Sequence, residues 1–321
     1  MTSMFSADAL ERARSFADTR ARPLERVRLA HLLGEAEPGD VVCALRAFAT
    51  TDGGLGQALE PDCRAPESSA LAVLTGLDIL RQHRGSDPAS RHLLGTLIAW
   101  LVAQVERDEQ GRCVWPFLPA TAQASPHAPW WDQSQPGELA ATFAGFVANP
   151  GVALTAHLWR GEVAMPGSVA AQLLDALTRQ AVAVCDAGLS AEEVNAHDAL
   201  AHFAAEPAVP APAREVAVAY LRRVLPDRVM SREGDFAAYG IHPLWIAPGP
   251  DHPLAATLAP QIDLALDHTI ATQDADGSWA PFWDWGGWDH ASWAIAEQEW
   301  RGCLVVRNVA ALLAHGRVVG H

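Results

Sequence analysis

Gln273-Asp274-Ala275-Asp276-Gly277-Ser278-Trp279 follows an apolar, helix-like segment carrying Ile262, Leu264, Leu266 and Ile270. It precedes a run of rings and acids from Pro281 to Asp289. Its chemistry is that of a helix terminus held by a side-chain-bonded turn. The Asp276 carboxylate can accept backbone N–H groups, Gly277 can take a positive φ, and the Trp279 ring can pack over the end of the helix. Gln273, Asp276, Gly277 and Trp279 are therefore expected to be structural. The same turn recurs earlier as Asp52-Gly53-Gly54-Leu55, with Leu55 in the place of Trp279 and Ala49 in the place of Gln273, so Asp52 is expected to hold a turn as well. A looser third copy closes with Gln104, Asp108, Gly111 and Trp115.

The pattern Gln-x-x-Asp-Gly-Ser-Trp resembles the repeat of terpenoid cyclases and protein prenyltransferases. The resemblance is close over 273–279 and partial elsewhere; the acid-acid-Thr-Ala segment of such repeats is Glu67-Ser68-Ser69-Ala70 here. It implies an all-α fold, an α/α toroid of helix hairpins stacked around a central apolar cavity. A fold, rather than a reaction, is what such a repeat transfers.

The rest of the chain agrees with a helical reading. Apolar residues recur near helical spacing from Ala9 to about Leu33, from Val41 to Ala49, from about Ser90 to Val105, and from Val305 to His315. Glu138 to Arg223 is Ala-rich and helical, broken near Pro150, Pro166 and Pro207–Pro210. Period-two β-branched runs are nearly absent, so no sizeable sheet is expected. Uneven Asp/Gly turns predict a degenerate repeat array, which we expect to close into a ring within a single domain over 1–321. The loop from Pro119 to Pro136 is long for a compact domain, and loops of that length are often functional.

Charge and composition exclude several functions. A formal net charge of -15 at pH 7 argues against nucleic acid or an anionic membrane as partner, since either needs a basic face. No apolar run reaches the roughly 20 residues that span a bilayer. The N-terminal residues are charged and amphipathic, unlike a secretory signal, and the five dispersed cysteines lack C-x-x-C spacing. A cytoplasmic protein with reduced thiols is expected.

Rings beside carboxylates carry the chemistry. They occur at Trp130-Trp131-Asp132, at Phe282-Trp283-Asp284-Trp285 and at Trp288-Asp289-His290. The resemblance implies an isoprenoid cyclase started by protonation, which needs a strong acid in a dry pocket and π faces that stabilise cations. In that reading Asp284 is the acid, and Asp132 or Asp289 is its neighbour. Trp131, Trp245, Trp283, Trp285, Tyr239 and Glu299 contact the substrate, a small hydrophobic isoprenoid. The Asp-x-Asp-Asp acid motif of such cyclases is absent, and Asp274-x-Asp276 copies half of it. Ordinary roles stand beside these: surface or helix-capping Asp, and Trp rings that staple neighbouring helices. Neither H-E-x-x-H nor Asp-Asp-x-x-Asp is present, so neither metal nor cofactor is expected. Two other readings stay open, a non-catalytic lipid carrier and a carbohydrate-active α/α toroid with paired carboxylates.

Overall fold

The computed structural model describes residues 3–320 apart from Arg84 and Ser86. The chain divides into two compact units, one formed by Met1–Ala44 with Arg222–His321 and the other by Leu45–Leu221. Both are mostly helical, as the spacing of apolar residues predicts.

The first unit begins with α1 (Ala7–Arg20), α2 (Pro23–Leu32) and α3 (Pro38–Leu45). The single helix expected over Ala9 to Leu33 is two. Pro23 disfavours helical geometry at Arg22, which is extended at φ -62° and ψ 156°, and Pro23 itself opens α2, where its missing N–H costs nothing. Ser6 caps α1 by accepting from the Ala9 N–H at 3.1 Å.

The second unit contains α4 (Ala70–Gln82), α5 (Pro88–Gln104), α6 (Glu138–Thr142), α7 (Gly151–Ala164), α8 (Ala171–Ala187), α9 (Val194–Ala205) and α10 (Ala211–Val224). Helix α7 is apolar around most of its circumference, with Val152, Leu154, Ala156 and Leu158 all buried, so it takes the centre and packs against α4, α5, α8 and α9. Extended pairing is slight, as expected: β1 (Glu106–Arg107) lies antiparallel to β2 (Cys113–Val114). The long loop after Pro119 is built from 3₁₀ turns at Ala120–Ala124 and Pro129–Trp131.

The chain then supplies the rest of the first unit: α11 (Pro243–Ile246), α12 (Ala259–Ala271) and α13 (His290–Ala314). Helix α13 packs on α1, α2 and α12. It begins 15 residues before the expected Val305, because the Asp289 carboxylate caps it through the Ser292 N–H while Glu297, Gln298, Glu299 and Arg301 hide the apolar period of its first half. Between α2 and α13, Arg22 donates to both oxygens of buried Glu25, at 2.9 and 2.8 Å.

The three Asp/Gly turns share one backbone design. Asp274 N–H donates to Ser278 C=O and Gly277 N–H to Asp274 C=O; Thr50, Gly53 and Gly54 repeat the pair, as do Asp108, Gly111 and Arg112. Asp276 Oδ1 accepts from the Ser278 N–H and hydroxyl at 3.0 and 2.7 Å. In the third copy Gln110 stands in the acid's place, and Asp108 accepts the Gln110 and Arg112 N–H groups instead. Gln273 Nε2 donates to Gly277 C=O and to Ala9 C=O, tying the turn to α1. Trp279 Nε1 donates to Thr269 C=O at 2.8 Å, and Trp115 Nε1 to Leu101 C=O at 2.9 Å, so each indole satisfies a carbonyl in the last turn of a helix.

Candidate functional site

Beyond the 273–279 turn, the first unit gathers aromatic side chains from three places: the 239–245 segment, the Phe282-Trp283 pair and α13. His242 opens α11, where its Nδ1 accepts the Leu244 N–H at 3.2 Å. Burial pushes this imidazole down to about 3, with Arg307 and His268 adding to the shift, which keeps the accepting lone pair free. Trp245 stacks on His242 with centroids 5.6 Å apart. Phe282 lies 5.3 Å from Trp245, Trp283 lies 4.9 Å from Phe282, and Trp300 of α13 lies 5.1 Å from Trp283. Tyr239, exposed, closes the far end 6.1 Å from Phe282. The Arg307 guanidinium stands 3.9 Å over the Trp245 ring, a cation–π contact. Trp245, Phe282, Trp283 and Trp300 are all half-buried, so the rings form a continuous apolar wall with accessible surface.

Asp284 lies outside the wall's apolar surroundings. Its side chain is exposed and its Oδ1 accepts the Gly286 N–H at 2.6 Å, so it does not sit in the dry pocket expected of the acid. Asp289 caps α13, and its hydrogen bonds to Ser292 hold it below the usual carboxylate range. Asp132 organises its own loop, accepting from Ser134, Gln123 and again Ser134, and these bonds hold it low as well. Asp284 and Asp289 do share one feature. With Trp285, Trp288, His290 and Trp293 they line a cavity of about 170 Å³.

The remaining residues separate by environment. Trp245, Trp283 and Tyr239 belong to the wall. Trp285 is 1% exposed and packs 5.9 Å from Trp293, a core ring. Trp131 is buried in the second unit, stacked 4.9 Å from Phe143 and edge-on to Phe117. Glu299 lies 3.8 Å from the Arg22 guanidinium, beside the Arg22–Glu25 pair.

Trp300, which the sequence groups with Glu297 and Glu299 as a cluster facing the cavity, and Arg307, which no local motif marks, complete the wall from α13, seven residues apart on one helix face. In the second unit, Asp78 lies beside His157 and His202. Burial pushes both imidazoles down; burial also works against the Asp78 carboxylate, but the hydrogen bond from His157 and the Arg81 guanidinium hold that carboxyl below its usual range.

No family model matches this chain, and no curated protein matches it. Among the described residues, no helix is long and apolar enough to cross a membrane.

Proposed function

We propose that the turn-capped hairpins close into a terpenoid-cyclase-like α/α toroid, and that the protein binds an isoprenoid or similar apolar ligand against the wall of Trp245, Phe282, Trp283 and Trp300 without protonating it. The observation that carries this reading is the ring-to-ring continuity of part-exposed aromatics from Tyr239 to Trp300. Such a surface offers dispersion contacts along a flexible apolar chain, with little polar surface to desolvate. Arg307 at the Trp245 end provides a cation for a polar head group. Binding without turnover fits the three acids, since Asp284 is exposed and Asp132 and Asp289 are held ionised.

The deciding experiment is incubation of purified protein with prenyl alcohols, prenyl diphosphates and squalene, followed by product analysis. Ligand that is retained by the protein and recovered unchanged supports the carrier. A cyclised product that disappears in Asp284→Asn replaces it with acid catalysis.

A second reading rests on the 170 Å³ cavity, where exposed Trp288 and the carboxylates of Asp284 and Asp289 resemble a sugar-stacking platform with paired acids. Hydrolysis of oligosaccharides that is lost in both Asp284→Asn and Asp289→Asn would favour it.

A further inference from the structure

Asp78 on α4, His157 on α7 and His202 on α9 bring one carboxylate and two imidazoles together inside the second unit. We propose that these three side chains bind a divalent transition metal of the zinc, cobalt or nickel class. His157 Nε2 lies 3.1 Å and His202 Nδ1 3.6 Å from Asp78 Oδ1, and one ligand atom from each residue lies within 4.8 Å of the others. Two ligands bonded at about 2.1 Å to one tetrahedral ion are roughly 3.4 Å apart. Small side-chain rotations therefore bring all three donors onto one centre. Two imidazoles with a single carboxylate suit borderline transition metals, whereas magnesium and calcium favour oxygen-only sets.

Burial gives an independent reason to look for a ligand here. His157 is 0% and His202 10% exposed in the side chain, and His202 Nδ1, the nitrogen on the Asp78 side of its ring, lies 3.6 Å from Asp78 Oδ1, beyond hydrogen-bond distance. Buried imidazoles kept only for core hydrogen bonding normally satisfy their nitrogens. Asp78 is 42% exposed, which leaves an entry path and an open coordination position for water or an anion.

Two features make the site one of moderate affinity. The far imidazole nitrogens lack the acceptor that usually orients a ligating histidine, a loss of about 10–100-fold. Arg81, with Nη2 3.4 Å from Asp78 Oδ1, competes for the carboxylate.

The test uses the full chain, stripped with chelator and titrated with Co²⁺ alone and with Zn²⁺ alone. Expected are one equivalent bound, visible Co²⁺ ligand-field absorption, and a Zn²⁺-dependent rise in the unfolding midpoint. Asp78→Asn and His202→Gln keep side-chain shape, and each is expected to weaken binding by at least about tenfold. Exposed His92→Gln is expected to bind as wild type. A wild-type protein that takes up no stoichiometric metal overturns the proposal whatever the variants do. So does uptake that is equal in wild type and in folded Asp78→Asn and His202→Gln proteins.

Discussion

Trp100 donates its indole N–H to Asp52 Oδ2 at 3.1 Å, while the other oxygen of the same carboxylate accepts from the Gly54 N–H and from the hydroxyls of Thr50 and Ser68. One acid thus ties a turn to α5 and to the segment entering α4. These bonds outweigh the cost of partial burial and hold Asp52 down at about 2. Because the folded value is depressed, the contribution is complete above the unfolded value near 3.9 and is lost as pH falls through about 2. Asp52→Asn is expected to cost about 1 kcal/mol at pH 7, discounted for the side chain's exposure. Urea unfolding of both proteins should show the difference shrinking between about pH 4 and pH 2.

His242 predicts the opposite chemistry with the same sign. Its folded value, about 3, lies below the unfolded 6.5, so between those values the unfolded chain binds the extra proton and stability rises with pH. This group removes about 1.4 kcal/mol per pH unit as pH falls below 6.5. His242→Asn offers an acceptor to the Leu244 N–H without titrating. Its unfolding free energy is expected to vary less than wild type between pH 6.5 and pH 5.

Gly277 has a φ of +94°, and a Cβ there would meet the Arg12 carbonyl oxygen at 2.1 Å. Gly111 in the third turn has a φ of +74° with nothing within 4 Å. Gly111→Ala therefore carries only backbone strain, about 1 kcal/mol, whereas Gly277→Ala adds a backbone collision and is expected to cost about 3 kcal/mol or more. Equal midpoints for the two variants would mean that α1 does not rest on the turn.

The Arg22–Glu25 pair is buried, and Cys303 lies against it, with its thiol pushed up to about 12 by burial and by Glu25. Removing one partner strands the other charge. Glu25→Gln is expected to cost about 3–5 kcal/mol, and Arg22→Met with Glu25→Leu together to recover most of that loss. Denaturant midpoints of the single and double variants measure the recovery.

What the sequence disclosed and what it concealed follow the range of the interactions. The 273–279 turn was legible because Asp276, Gly277, Ser278 and Trp279 act within a dozen residues of one another; Ser69 is an equally local signal, capping α4 through the Ala72 N–H at 3.1 Å. The split between α1 and α2 needed more weight on Pro23, and the early start of α13 needed the Asp289 cap read as a beginning. Tyr239, Trp245 and Trp283 stand out in the sequence as rings, but their grouping with Trp300 and Arg307 depends on how α13 is placed. Asp78, His157 and His202 are separated by 79 and 45 positions, a spacing with no local signature, so only the packing of α4, α7 and α9 brings them together. Asp284 misled because its ring-rich neighbours suggested burial, whereas Gly286 and Gly287 turn the chain so that the carboxylate faces solvent.

The aromatic wall is tested most directly by equilibrium dialysis of a labelled C15 or C20 prenyl alcohol against wild type and against the Trp283→Ala/Trp300→Ala double variant, with circular dichroism to establish that both are folded. Saturable binding by wild type, weakened at least about tenfold in the double variant, is the predicted result, since each lost ring removes contact area worth about 1–2 kcal/mol. Equal binding by the two folded proteins, or no saturable binding by wild type, would contradict the assignment of this wall as the ligand site.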